Sequence, residues 1–389
     1  MKHFLKFAIC ILVASGAVAL AQSPANPLKP SASPVAYVYV ARPTHIDSFA
    51  AASNGVLTAI QAGTSAVSGS ISNLSVDKEF LFGMNDETNY IDAYSIASNG
   101  AIAFSAQTPL STKDFCPGGP LEVDYTGKFL YVLQFDCDDT NELNVETFNI
   151  ESGGKLKWLG ASALEGYLGL SSPEPAILGN HKFAYDAGCY ADSDEDYPDP
   201  YFVTYSIESN GLMLTNSAHF QPPPAYSGDG IACPELIASD GSDHIVMTGQ
   251  DFSYDKGEYD GPVYLATYTA DSHGNLTTGS TAKNMATVSS ELYEVSALSI
   301  DPTSQFLAVG DTGFELFHWE GGKQVTKFTG VELPGVSIQQ FAWDTSHHLY
   351  VLSKVGDVYV YTVSSTGIKE ASGSPYSIPE SSSIVVLSK

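Results

Sequence analysis

Six stretches of this chain are copies of one pattern: DSFAAASNGVL (47–57), DAYSIASNGAI (92–102), ETFNIESGGKL (146–156), VTYSIESNGLM (203–213), ATYTADSHGNL (266–276) and YVYTVSSTGIK (359–369). Each alternates apolar and polar residues, passes through a turn rich in Ser, Asn and Gly, and resumes as a second strand. That is the signature of a β-hairpin. In all six an aromatic stands six positions before a glycine: Phe49/Gly55, Tyr94/Gly100, Phe148/Gly154, Tyr205/Gly211, Tyr268/Gly274 and Tyr361/Gly367. LFHWEGGKQV (316–325) is the same unit with a shorter turn. The glycine supplies the positive φ that such turns need. The aromatic is expected to pack between sheets.

A second hairpin lies between successive copies, as in PLEVDYTGKFLYVLQF (120–135) and VSALSIDPTSQFLAVG (295–310). Each repeat is therefore four short antiparallel strands, A to D, recurring about every 43 to 63 residues, and no segment has helical periodicity. Four-stranded repeats at this spacing predict an all-β fold, a seven-bladed β-propeller. The first unit enters at strand B, AYVYVARP (36–43), and the chain ends on an unpaired β run, SSSIVVLSK (381–389). The expected solution gives that last strand to the first blade, closing the ring and removing exposed edges. Residues 35–389 are then a single propeller domain.

The remaining N-terminal residues read as a leader. Lys2 and Lys6 precede an apolar run from Phe7 to Leu20, and Ala19-Leu20-Ala21 fits a small-x-small cleavage site. Residues 1–21 are expected to be a signal peptide and 22–34, rich in Pro, Ser and Ala, a flexible lead-in. The mature chain has no apolar stretch long enough to span a membrane, so an exported protein, periplasmic or extracellular, is expected, acting as a monomer. Its formal net charge of -27 argues against nucleic acid and anionic membranes as partners. A small-molecule or carbohydrate-derived ligand, or a protein partner, remains open.

Four cysteines follow the leader: Cys116, Cys137, Cys189 and Cys233. An even count in an oxidising compartment predicts two disulfides. A tight turn at Thr126-Gly127 would set Cys116 directly opposite Cys137. Cys189 ends one B strand and Cys233 begins the next A strand, on the same rim, so a bridge between neighbouring blades is expected there.

That rim carries the B–C and D–A loops, and it is acidic. Asp192, Asp194 and Asp196 form a ladder of hard oxygen donors that suits calcium, the one cofactor the sequence suggests, although the loop lacks the glycine and twelfth-position glutamate of an EF-hand. A solvated acidic loop is the plainer reading. Glu174, Glu235 and Glu294 stand near strand A starts and are candidate catalytic carboxylates, with His45 as a further base. Arg42, the chain's only arginine, is a candidate substrate-carboxylate clamp or an ion-pair partner for the rim. Asp77, Asp124, Asp301 and Asp344 recur before A–B turns and read as turn-forming side chains.

The stretches LSVDKEFLFGMNDETNYIDAYSIASNGAI and HLYVLSKVGDVYVYTVSSTGI resemble the blades of lactonase-type seven-bladed propellers, relatives of 6-phosphogluconolactonase and of YVTN-repeat surface proteins. The resemblance covers about residues 36 to 389. It implies a lactone or ester hydrolase working at the channel mouth. The chain departs from the family pattern in one respect: the inner strands begin CPGGP, SPEPA, CPELI, YEVSA and VSIQQ, without the Pro-His start. Two functions are carried forward. One is hydrolysis of a non-phosphorylated lactone or sugar ester at the acidic rim. The alternative is a non-catalytic propeller binding a cation, a small ligand or a protein.

Overall fold

The protein is described here as a computed structural model. The structure describes residues 33–389 except 61–64, 67–68, 86, 112–114, 117–119, 137–142, 165–175, 191–198, 227–229 and 254. Among the described residues there is no α-helix. The strands form antiparallel sheets of the expected kind. The second sheet runs Ile71–Val76, Phe80–Asn85, Tyr90–Ile96, Ile102–Pro109. The third runs Leu121–Val123, Phe129–Asp136, Leu143–Ile150, Leu156–Leu164. The fourth runs Ala176–Ile177, Phe183–Tyr190, Asp199–Ile207, Met213–Thr215. The fifth runs Ile231–Ser239, His244–Ser253, Glu258–Ala270, Leu276–Thr278.

The last two repeats are less separate than their sequence suggests. They belong to one eight-stranded sheet, joined where Thr312 pairs with Ser337 and Phe314 with Glu332. In the first sheet Ala36–Arg42 lies between His45–Ala51 and the C-terminal strand Ser383–Ser388, with Val38 opposite Val386 and Tyr39 opposite Val385.

Strand alternation sends successive side chains to opposite neighbours. In the second sheet Leu81 and Tyr94 pack toward the first sheet, whereas Phe82, Met84 and Ile91 pack toward the third. Both faces of this sheet's central strands are therefore core, which is why both alternate sets are apolar there.

The recurring aromatic and glycine do different jobs in the joints between sheets. Tyr94, Phe148, Tyr205 and Tyr268 are fully buried. The turn glycine presses on the start of the preceding sheet's strand B: a Cβ on Gly211 would lie 2.4 Å from Phe129, and one on Gly274 2.6 Å from Phe183. Strand B then reaches back, Tyr131 and Tyr185 donating from their hydroxyls to the carbonyls of Gly211 and Gly274 at 2.9 Å. The glycine is needed twice over, for positive φ and for close approach.

The turn aspartates cap as the sequence suggested. Asp124 Oδ1 accepts from the N–H groups of Lys128 and Phe129, and Asp301 Oδ1 from those of Gln305 and Phe306. Their second oxygens reach the next sheet: His181 Nδ1 lies 3.5 Å from Asp124 Oδ2, and His347 Nδ1 3.2 Å from Asp301 Oδ2. His347 thus ties neighbouring turns together, whereas His181 lies beside Asp124 without closing a hydrogen bond among the described residues.

The expected register at Cys116 does not hold. Leu121 faces Val132, as the turn requires, but Cys116 faces Phe135, two residues short of Cys137. Pro117 and Pro120 have no N–H to donate and the two intervening glycines carry no side chain, so the CPGGP stretch is poorly suited to keeping a ladder in register. Cys137 itself lies outside the described residues.

Candidate functional site

The site is built around the start of the fifth sheet's first strand, Ile231–Ser239. A disulfide between Cys189 and Cys233, with Cα atoms 5.1 Å apart, fixes that start to the end of Phe183–Tyr190 in the preceding sheet. Pro234 follows, still paired with Gly249, but the next regular pair is Ile237 with Met247. Glu235 and Leu236 therefore share a bulge opposite Thr248, whose Oγ1 accepts from the Leu236 N–H at 3.0 Å. A bulge re-aims side chains that regular pleating would bury or expose in strict alternation. Register shifts also fall in Ile71–Val76 and Glu332–Trp343.

These irregular inner strands line a cavity of about 380 Å³, whose walls include Asn73, Leu236, Ser296, Ser299, Gln339, Gln340 and Ser382. None of those side chains is charged. Gln339 donates to the Ser382 carbonyl at 2.6 Å, and Gln340 Oε1 accepts from Ser383 and from the Ile384 N–H. The wall thus offers amides and hydroxyls, groups suited to a neutral polyol rather than to a phosphate.

Glu235 stands one residue before Leu236 of that wall. Its Oε2 is sealed from solvent and has no hydrogen-bond partner among the described residues. Burial pushes its carboxyl up to about 7, and the nearby negative charge of Glu294 adds to the rise. Glu294 is exposed, its own N–H donating to Asp311. The arrangement is a pair of unequal carboxylates, one half-protonated near neutral pH beside one in water, an arrangement suited to proton transfer.

Aromatic side chains complete the surround. Tyr259 and Tyr264, both on Glu258–Ala270, feel the Glu235 charge, and burial raises both phenols. Tyr264 is 1% exposed, held against Gly249, and stacked at 6.2 Å and 12° on Tyr226. Tyr226 is fixed in turn by its N–H, which donates to Asp251 at 3.0 Å. In the acidic stretch DFSYDKGEYDGP (251–262) Asp251 is buried, Asp260 is paired with Lys256, and Tyr259 is the member that feels the Glu235 charge. An aromatic at an acidic loop was the signal available.

The structure brings together only part of the predicted constellation. Glu294 lies near enough to Glu235 for its charge to be felt there. Arg42 and His45 lie elsewhere, on the first sheet, both against Asp47 at 3.6 and 3.3 Å, and no contact joins them to Glu235. Glu174, Asp192, Asp194 and Asp196 lie outside the described residues. Among the described residues no group of three His, Cys, Asp or Glu side chains is placed to hold a metal ion. No helix among them is long and apolar enough to cross a membrane.

No family model matches the chain, and no curated protein sequence matches it either. Solved structures do share its fold. A putative 6-phosphogluconolactonase from Bacteroides uniformis superposes with a TM-score of 0.63 at 11% identity, covering 90% of this chain and 99% of that one. The periplasmic gluconolactonase PpgL of Pseudomonas aeruginosa gives 0.63 at 12%, covering 91% and 99%. A Lactobacillus plantarum protein gives 0.59 at 13%, covering 90% and 99%. The chain has the fold of the lactonase-type β-propellers.

Proposed function

We propose that this protein is an exported lactonase-like propeller that hydrolyses a non-phosphorylated lactone or sugar ester at the Glu235–Glu294 rim. The observation that carries the reading is Glu235, a shielded carboxyl poised near 7 beside an ionisable partner and one residue from a polar cavity. In its ionised form Glu235 takes a proton from water as the water oxygen bonds to the ester carbonyl carbon. The tyrosine hydroxyls of the rim are donors for the oxyanion that forms. As the ring C–O bond breaks, Glu235 returns the proton to the leaving oxygen, and the product is a hydroxy acid. Ionisation of that product beside Glu294 favours its release. A neutral cavity wall favours a substrate without phosphate.

The architecture belongs to the same proposal. Counting the eight-stranded sheet as two blades gives seven, and the pairing of Ser383–Ser388 with Ala36–Arg42 supports closure of the ring by the last strand. The leader supports export, and residues 35–389 serve as one domain. Calcium at Asp192, Asp194 and Asp196 remains a proposal for the purified protein to test.

The experiment is proton release by the mature protein over a panel of sugar and aliphatic lactones, with calcium and with chelator. Glu235→Gln should remove turnover, and the wild-type kcat/KM should rise as pH passes through 7. Turnover unchanged in Glu235→Gln would place the chemistry elsewhere. No turnover at all would leave the non-catalytic binding propeller as the better reading.

A further inference from the structure

The Glu235–Glu294 rim combines negative charge with aromatic surface. Tyr226 is 36% exposed, Tyr259 41% and Tyr293, next to Glu294, 57%. Few large apolar or aromatic side chains among the described residues are so exposed; Tyr226 stacks on Tyr264, Tyr259 feels the Glu235 charge, and Tyr293 directly precedes Glu294. Exposed aromatic area of this kind marks a contact surface. Tyr264 lies beneath: it is 99% buried by the same measure, its hydroxyl faces the Asp251 carboxylate, and it closes no full hydrogen bond among the described residues.

No cation among the described residues answers this charge. Lys256, on the same loop, is held by Asp260, and Lys327 by Glu315. Among the described residues the groups that interact electrostatically with Glu235 are Glu294, Tyr259 and Tyr264, with Asp251 beside Tyr264, and each is acidic or phenolic. A neutral sugar stacks on the ring faces and donates hydroxyls to the carboxylates, but leaves their negative charge uncompensated. An organic ammonium ion uses both the ring faces and the charge. Its alkyl groups lie on the tyrosine faces, where the negative ring quadrupole attracts them, and its charge replaces the cation the carboxylates lack.

We propose that this rim is a recognition site for an alkylammonium group carried by the substrate or ligand. The proposal deepens the reading of the same site but does not need hydrolysis to occur. The cation lowers the free energy of ionised Glu235, so binding releases a proton near neutral pH. Affinity therefore rises as pH passes through 7 and levels off above it.

Isothermal titration of the mature protein with tetramethylammonium chloride, at constant ionic strength and with sodium chloride as the control, tests this. Saturable binding is expected, weakened roughly threefold to tenfold in Tyr259→Ala, in line with one cation–π contact, and nearly restored in Tyr259→Phe. In Glu235→Gln the pH dependence should vanish. Tyr259 is exposed enough that its variants should fold, and their melting temperatures check it. Heats no larger than those from sodium chloride would overturn the proposal, as would binding indifferent to Tyr259→Ala. So would preferential binding of a neutral methyl glycoside. Because lactone turnover is assayed separately, ammonium binding without turnover overturns the hydrolase reading alone, and turnover without ammonium binding overturns this one alone.

Discussion

Replacing Asp186 by asparagine should shift stability progressively in the variant's favour as pH rises. Asp186 sits in Phe183–Tyr190, paired with Val203, and is 1% exposed. Neither carboxylate oxygen has a hydrogen-bond partner among the described residues, and the Tyr201 hydroxyl beside it has none either. Burial pushes the Asp186 carboxyl from its ordinary 3.8 up to about 7, against the smaller opposing effect of the Ala187 N–H. The folded protein thus holds this proton more tightly than the unfolded chain does. Stability is full below the unfolded pKa and is lost as pH rises toward the folded one, where the loss levels off. The gap corresponds to about 4 kcal/mol at 1.36 kcal/mol per pH unit, an upper figure because water entry relaxes buried charges. Asparagine keeps the volume and cannot ionise, although its unpartnered amide costs about 1–3 kcal/mol at every pH. The variant should be equal to or less stable than wild type at pH 4 and more stable at pH 8. The difference in melting temperature should swing by roughly 5 °C across that range for a domain of this length. The assay is calorimetry of both proteins from pH 4 to 9, in which contributions from all other groups cancel in the difference. A difference that is flat with pH would refute the reasoning, because it would mean that Asp186 is solvated or paired in solution.

Two further changes probe the scaffold. Gly211→Ala combines φ +90° with a Cβ 2.4 Å from Phe129, so it should cost about 2–4 kcal/mol, read as a lower denaturant midpoint at unchanged m-value. Gly153→Ala, with positive φ but nothing within 4 Å, should cost less and separates the clash from the backbone strain. Removing the Cys189–Cys233 bridge with a double serine variant frees a loop of 44 residues and should cost about 4 kcal/mol by the chain-entropy argument. The same variant should lower kcat more than it raises KM, because the bridge holds the strand start that carries Glu235.

The hairpins and the four-stranded sheets were legible in the sequence because they depend on local properties. Strand alternation, glycine at positive φ and the aspartates that cap the turns, such as Asp124 and Asp301, act over a few residues. The repeat made that signal visible several times over. Glu235 and Glu294 could be singled out as rim carboxylates on the same logic, from their places near strand starts. Their proximity to each other could not, since they are 59 positions apart in the chain and come near each other only because neighbouring sheets are packed side by side.

The tertiary structure decided what depends on register and burial. The bulge at Glu235 and Leu236 appears only when Pro234 pairs with Gly249 and Ile237 with Met247. The shift that sets Cys116 against Phe135 arises across CPGGP, whose prolines and glycines weaken a ladder without fixing where it slips. Arg42 and His45 carry the residue types of a site, yet they lie against Asp47, a residue the repeat pattern does not distinguish. Nothing in the sequence marks Asp186, and Glu235 stands out only by its place near a strand start; their raised carboxyl pKa values come from desolvation. Desolvation is set by which atoms from distant parts of the chain crowd around a group, so the residue's own neighbours in sequence do not encode it. The sequence by itself determined the units and the chemistry available on their rim. Packing those units side by side determined which of its carboxylates are withdrawn from water, and therefore which are fit to move a proton.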